Sequence, residues 1–541
     1  MNRQTSSKMS EPELVCKDTF IYSERQGAVY SEQDTVDFYI PQSMALLNTK
    51  NCYIMMRVKM SGMLKKAVSS SAGVHALIRD ITIYNGSGNK VLEQLDNYAI
   101  AHALYEHYNS NESLDNLRKL HEGKPSSMVM GTTVGNQYCD AGDNTQSFNK
   151  QVECLVPIYM SGILSPNRDT VFPALALGGL RIKINLNDAQ TALELLTSPL
   201  YDTVGNEMEV MTNGKFKSLG GGGYESQWGY EAVQQANIGD LTVTLKCTAD
   251  TLLVDQQSLS ANVARPAHVF MVGQKISLDD DTEFVTVQSV AITNVAVGGV
   301  TAYRVQLTFT TALTAVLAAG DTVHVVAVQS GAPNETFEVS DVKMNVSLVT
   351  PPAGYIEDLM TQINKGALQL DIKTYTDYAI NISDNSKKNS LYINARNSRA
   401  KSIIAIPAHS AGSSLEEDSF VPDKGTPTQY VWSIYKVLTP NVPVNLHRSN
   451  LESFDAVHLR ELQHALGACE IPVNNLERSY EHFAIGRRLA MPGYSYNCNK
   501  PSEGELRLNI DYNEVSSTLM HNLLFHIRRI TVRADGIEIV Y

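Results

Sequence analysis

Short runs in which apolar and polar residues strictly alternate recur along this chain, and they constrain it more than any other feature. Leu506, Leu508 and Ile510 alternate with Arg507 and Asn509. That is the period of a strand with one face in a core and one outside it. A second run, Leu523-Leu-Phe-His-Ile-Arg-Arg-Ile-Thr-Val-Arg533, precedes Ala-Asp-Gly and then Ile537-Glu-Ile-Val-Tyr541. Asp535-Gly536 between two apolar runs predicts a hairpin, because glycine tolerates the positive φ of a tight turn. Apolar parity shifts across Arg528-Arg529, from Phe525 and Ile527 to Ile530 and Val532, which predicts a β-bulge there. A large all-β chain whose final residues form a strand is expected of a building block, so assembly is the first function to consider.

The same texture runs upstream. Cys52, Ile54, Met56, Val58 and Met60 alternate with Tyr53, Met55, Arg57 and Lys59. Leu180, Ile182, Ile184 and Leu186 alternate with Arg181, Lys183 and Asn185. Three segments change period. Within 91–108, Leu92, Leu95, Ala99 and His102 fall at helical spacing. Tyr355–Lys365 reads as a short helix closed by Gly366, and Ala456–Leu466 as another closed by Gly467. Residues 236–333 are rich in Val, Thr and Ala and poor in aromatics, and read as a small β-barrel or sandwich inserted between two strands of the first domain. Two β-rich halves, each with a helix at a comparable place, suggest a structural duplication. The expected fold is all-β: two tandem eight-stranded jelly rolls with short helices, plus the inserted β-domain. The expected division is an N-terminal arm at 1–17, a first jelly roll at 18–235 with 334–352, the insert at 236–333, and a second jelly roll at 353–541.

Composition bounds the function. A length of 541 residues exceeds a single core and predicts roughly two to four domains. Hydrophobic content of 43% and charged content of 19% are those of a globular protein. A net charge of −13 argues against a general nucleic-acid-binding surface. The seven cysteines, Cys16, Cys52, Cys139, Cys154, Cys247, Cys469 and Cys498, contain no C-x-x-C pair. Free thiols are expected rather than zinc ligation or a disulfide framework. The polar N-terminus shows no signal peptide, and no run of about 18 apolar residues predicts a membrane span. Synthesis in cytosol or nucleus is therefore expected, and the sequons at Asn85, Asn111, Asn334, Asn345 and Asn381 read as chance matches.

No catalytic, cofactor-binding or metal-binding residue is assigned. His102, Glu106 and His107 share a helix but lack the H-E-x-x-H order, and helix packing is the better reading. His458 and His464 are spaced wrongly for i, i+4 ligands and read as core or rim packing. Asp279-Asp-Asp-Thr-Glu283 could hold a hard cation but lacks spaced ligands, and reads as a solvated loop. Gly220–Gly223 is not followed by Lys-Ser or Lys-Thr, so it is a flexible connection rather than a phosphate loop. Arg487, Arg488, Arg528, Arg529 and Arg533 form one basic group. Ion pairing within or between subunits is the first reading for it, and contact with DNA or an anionic membrane the second.

Several segments together resemble the major capsid proteins of polinton-like viruses, virophages and adintoviruses. These are Phe172-Pro173 with Leu177-Gly-Gly-Leu-Arg-Ile-Lys-Ile-Asn-Leu186, and Phe337–Val349 with Pro351-Pro352 and Tyr355. Phe483-Ala-Ile-Gly-Arg487, Leu524-Phe-His-Ile-Arg-Arg529 and Gly536–Tyr541 complete the set. The likeness covers most of 18–235 and 334–541. It implies a double jelly roll that forms homotrimeric, pseudo-hexameric capsomers tiling an icosahedral shell around double-stranded DNA. The implied partners are further copies of the chain, neighbouring capsomers, penton and minor capsid proteins, and indirectly the genome or an internal membrane. No enzymatic activity, small-molecule substrate or cofactor is implied, and the place is the virion capsid. Residues 236–333 depart from the smallest members, and are expected to project from the outer capsomer surface. The polar N-terminal arm is expected to order on assembly. The alternatives are a minor capsid or spike protein, or a jelly-roll lectin or carbohydrate-active enzyme. The last needs paired carboxylates and stacking aromatics, and the chain offers only Trp228 and Trp432 as tryptophans.

Overall fold

In the computed structural model of the chain, the described residues are most of 15–109, 151–195, 216–247, 275–328, 336–408, 427–446, 456–474, 483–515 and 518–540, with 121–122. The N-terminal half contributes β1 (Val15–Tyr22), β2 (Thr35–Pro41), β3 (Leu46–Ser61), β4 (Lys66–Val68), β5 (Ile78–Asn85) and β6 (Val91–Leu95). Helix α1 (Tyr98–Asn109) follows, then β7 (Gln151–Val156), β8 (Val171–Phe172), β9 (Gly179–Leu186) and β10 (Leu193–Leu195). Next come β11 (Phe216–Gly220), β12 (Gly223–Ser226), β13 (Tyr230–Ala232), β14 (Thr242–Cys247), β15 (Lys275–Leu278), β16 (Glu283–Val297), β17 (Val300–Phe309) and β18 (Thr322–Val328). The long β19 (Thr336–Thr350) returns to the first half, and α2 (Ala353–Asn364) leads into the second. That half holds β20 (Leu368–Ile382), β21 (Lys388–Ile393), β22 (Ala400–Ala408), β23 (Pro427–Ile434) and β24 (Val437–Asn445). It ends with α3 (Ala456–Ala468), β25 (Ile485–Arg488), β26 (Leu506–Tyr512), β27 (Thr518–Arg533) and β28 (Gly536–Val540).

Strand order settles the architecture. The first half has two antiparallel sheets, β1-β19-β3-β7 and β2-β9-β5-β6. The second has β20-β27-β22-β25 and β21-β26-β23-β24. Counting the eight main strands of each half in chain order, one sheet takes the first, eighth, third and sixth. The other takes the second, seventh, fourth and fifth. Both halves obey this rule, which is the jelly-roll order, so the chain is a double jelly roll. The small pairings of β8 with β3 and β4 with β10 lie outside it, and β28 pairs with Arg529–Arg533 of β27, past the stretch paired with β22. β1 begins at Val15, inside the stretch expected to be an arm.

Between the seventh and eighth strands of the first roll, the chain builds a separate sheet. β18 pairs with β13 and also with β15, so β13-β14-β17-β16-β15-β18 closes into a ring, with the hairpin β11-β12 attached. β13 lies ahead of residue 236, where the composition changes, so the ring takes in chain that the composition leaves to the first roll.

Burial follows the alternation. Leu180, Ile182, Ile184 and Leu186 are all buried on β9, as are Leu506, Leu508, Ile510 and Tyr512 on β26. β27 is different, being buried on nearly every residue. Met520 and Leu524 join a core confined to the second roll. Leu523, Phe525, Ile530 and Val532 join a core that also holds most of the first roll's interior, with Leu359 and Ile363 of α2. The bulge expected at Arg528-Arg529 is absent. The ladder from Leu368↔Val532 to Ile382↔Thr518 runs without a register shift. The parity change marks a change in which neighbour covers the strand. The irregularity lies one strand away, between Ala400 and Ser402 of β22, opposite His526 and Phe525. One further correction concerns a short element. Val91–Leu95 is a strand, too short to display its own alternation, and helix α1 starts only at Tyr98. The expected last hairpin is present, with Arg533 paired to Gly536 across Ala534-Asp535.

Trp432 is fully buried in the second roll's own core. Trp432→Ala is expected to destabilise the fold by about 3–5 kcal/mol, read as a lower urea midpoint by circular dichroism.

Candidate functional site at the seam between the two rolls

For a chain built of two similar blocks, the working geometry is the angle between them, and that is set at their seam. Apolar packing comes first. Ile372 and Tyr375 of β20, with Leu523 and Phe525 of β27, lie in one core with Leu92, Tyr98 and Ile163 of the first roll. Gly162 shows how close the approach is. A Cβ there would stand 2.0 Å from Ile372 Cγ2 and 2.5 Å from the Lys373 carbonyl oxygen. The loop carrying Gly162 is held by Glu93, a fully buried carboxylate on β6. Glu93 accepts hydrogen bonds from Ser161 Oγ at 2.6 Å, Gly162 N at 2.5 Å and Ile163 N at 3.2 Å. Three donors satisfy a charge that burial would otherwise make costly.

Polar contacts cross the same boundary. Arg528 Nη2 donates to the Val91 carbonyl at 2.7 Å, and Tyr375 Oη donates to the Asp96 carbonyl at 3.1 Å. Asn97 Nδ2 donates to Asp377 Oδ2 at 2.7 Å, and the same oxygen lies 2.6 Å from His521 Nδ1. Asn474, beyond α3, donates from its backbone to the Tyr108 carbonyl and from Nδ2 to the Asn109 carbonyl, both at 2.8 Å. It thereby satisfies carbonyls that the end of α1 leaves open.

The arginines singled out by the sequence all have partners within the chain. Arg529 grips Asp371 with Nε at 2.8 Å and Nη2 at 2.9 Å, and Arg399 adds Nη1 at 2.8 Å. Arg529's hydrogen bonds, with Arg399 beside it, hold the Asp371 carboxyl down at about 2. Arg487 pairs with Glu461, Arg533 Nη2 meets Glu538 at 2.7 Å, and Arg488 Nε donates to the Ala490 carbonyl at 2.7 Å.

The other sequence candidates scatter. His458 is buried, with Tyr430 Oη 3.3 Å from Nδ1 and Phe483 stacked at 5.4 Å, while His464 is exposed. Gly220 and Gly223 face each other across the β11-β12 turn. Asp279–Thr282 lie outside the described residues, and Glu283 opens β16. His102 and Glu106 share a face of α1, with Nε2 and Oε2 3.5 Å apart, and both are buried, as is His107. His75 and Glu122, which the sequence did not single out, join them. The His75 and His102 rings stack at 3.6 Å and 17°. No spacing rule links these residues, because three separate segments deliver them.

A cavity of about 420 Å³ opens on the seam, lined by Tyr105 and Tyr159 of the first roll and Lys373, Lys401, Glu470 and His526 of the second. Lys401 sits at the irregularity of β22. Burial, with the charges of Arg399, Lys373 and Arg488, lowers its pKa. His526 is buried with Nε2 3.0 Å from Thr376 Oγ1, and burial with the Arg528 charge pushes its pKa down to about 4.

These features define a double jelly-roll protein with a locked seam. No family model and no curated protein matches the sequence. Among solved structures, the chain is similar to the Faustovirus major capsid protein, at 9% identity over 98% of this chain and 93% of that one, with a TM-score of 0.49. It is also similar to a chain of the PBCV-1 virus capsid, at 8% identity over 98% and 97%, with a TM-score of 0.45. A third is the mavirus major capsid protein, at 9% identity over 97% and 90%, with a TM-score of 0.33. The fold assignment itself rests on the strand order.

The low pKa of His526 has a defined consequence. The unfolded histidine, near 6.5, takes up a proton before the folded one does. Stability from the neutral ring is therefore fully present above about pH 6.5 and is lost as pH falls toward about 4. His526→Gln keeps a partner for Thr376 and should flatten that fall by on the order of 2–3 kcal/mol, measured as urea midpoints across the pH range.

Proposed function

We propose that this chain is a non-enzymatic major capsid subunit that forms homotrimers. The observation that carries the reading is the repetition of one jelly-roll topology within a chain, with a single core running across the seam. Two similar blocks held at a fixed angle behave as one rigid unit. Three such units around a three-fold axis present six blocks, a pseudo-hexagon able to tile a curved shell. Such trimers need heterologous patches that close into a ring. We further propose an icosahedral capsid around double-stranded DNA, with neighbouring capsomers, penton and minor capsid proteins as partners. In this reading 18–235 with 334–352 and 353–541 are the two rolls, less the strands β11–β13 that join the inserted sheet, and 236–333 with those strands projects from the outer face. Contact with the genome or an internal membrane is indirect, since the five arginines are engaged within the chain.

Exposed apolar side chains support the placing of a contact surface. Val437 and Val442 lie on β24, at the edge of its sheet, and are 62% and 64% exposed. An uncovered apolar edge strand is a liability unless a neighbour covers it.

Light scattering on the purified chain is expected to give three times the chain mass, and imaging of those particles a three-fold pseudo-hexagon. A persistent monomer that binds glycans would overturn the reading in favour of a lectin. The double substitution Val437→Glu, Val442→Glu should leave the melting temperature in place and weaken association at least about tenfold, read from mass against concentration.

A further inference from the structure

We propose that His75, His102 and Glu122 bind one divalent transition-metal ion, zinc by their donor chemistry, with Glu106 placed to supply the fourth donor. His75 stands in a short 3-10 turn (Gly73–Leu77) just before β5, His102 and Glu106 on α1, and Glu122 on a later segment. One donor atom from each of His75, His102 and Glu122 lies within 4.8 Å of the other two, and among the described residues this is the one such group. All four side chains are buried.

Two of the donor separations suit a small tetrahedral ion. Zinc donors at about 2.0–2.1 Å from the metal stand roughly 3.3 Å from one another. His75 Nε2 and Glu122 Oε2 are 3.4 Å apart, and His102 Nε2 and Glu106 Oε2 are 3.5 Å apart. The two imidazoles are stacked, so their in-plane lone pairs run nearly parallel. Binding requires the rings to rotate apart until the lone pairs converge.

Protein groups alone leave the cluster incomplete. The fully buried His102 Nδ1 has no hydrogen-bond partner, and His75 Nε2 and His102 Nε2 meet only the Glu122 and Glu106 carboxylates, at 3.4 and 3.5 Å and out of hydrogen-bond alignment. Each buried polar atom left so costs free energy, and a metal ion on the ring nitrogens removes part of that cost. The surroundings are those of a ligand shell. Tyr98 Oη lies 3.2 Å from His75 Nδ1, where it can accept that proton and leave the Nε2 lone pair for a metal. Tyr159 Oη donates to Glu122 Oε1 at 3.1 Å, orienting the carboxylate. Imidazole and carboxylate donors together favour zinc over magnesium or calcium, which prefer oxygen throughout. The ion would tie the 3-10 turn, α1 and the segment at Glu122 together behind the tyrosines that line the seam cavity.

The test uses the full chain. Protein expressed in zinc-supplemented medium is gel-filtered and its metal content measured by elemental mass spectrometry. About one zinc per chain is expected. Glu122→Gln preserves size and hydrogen-bonding capacity, and should lose at least about tenfold of the zinc while keeping the circular dichroism of the wild type. His75→Gln is the second variant, with the same expectation. Cobalt-substituted wild-type protein should show the intense visible bands of a tetrahedral nitrogen and oxygen site. Less than about a tenth of a zinc per chain in the wild type overturns the proposal. Full zinc content in folded Glu122→Gln overturns it equally. If neither variant folds, the cobalt spectrum decides: tetrahedral bands support the site, and an octahedral or absent spectrum removes it.

Discussion

Ile372, Tyr375, Leu523 and Phe525 belong to the second roll by strand order and to the first by packing. Their burial against the first roll removes apolar surface from water at roughly 25 cal/mol per Å², and it does so only when the two blocks sit at one angle. The polar contacts of the seam then act as selectors rather than as the main source of stability. Asp377 is a buried acid of the second roll, and a displaced block would leave it without the amide of Asn97. This arrangement favours one relative placement over its neighbours by a steep margin. The sheet β2-β9-β5-β6 meets the seam directly, through Val91 and Leu92 of β6.

The β27 strand shows how such a seam is written in sequence. A strand with one wet face alternates; a strand with protein on both faces does not. Leu506, Leu508 and Ile510 were legible because Arg507 and Asn509 reach out of the core. In Leu523–Arg533 both faces are covered, and the covering neighbour changes along the strand. The local pattern then resembles a bulge, while the extra residue sits at Lys401, where nothing in the sequence marks it. Val91–Leu95 was misread as helical for a related reason, since five residues do not display a period.

The duplicated architecture was legible because it depends on periods and their order, which are local properties. The buried histidine cluster was not. His102 and Glu106 lie one turn apart on α1 and could be seen together. His75 and Glu122 come from segments whose proximity is decided by the whole first roll. Similarly, the arginines were visible as a group, but their partners Asp371, Glu461 and Glu538 are set by cross-strand register and helix packing. Sequence displays which residues share an element, and topology decides which elements meet.

The closed ring inserted between β9 and β19 carries one more implication. Among the described residues its strands pair with one another and with no strand of the jelly roll. The roll, in turn, receives its eighth strand whatever the intervening chain contains, provided the two ends return to β9 and β19. Such a joint separates the inserted module from the fold that carries it. Different modules could be exchanged there while the strand order of the roll stayed the same.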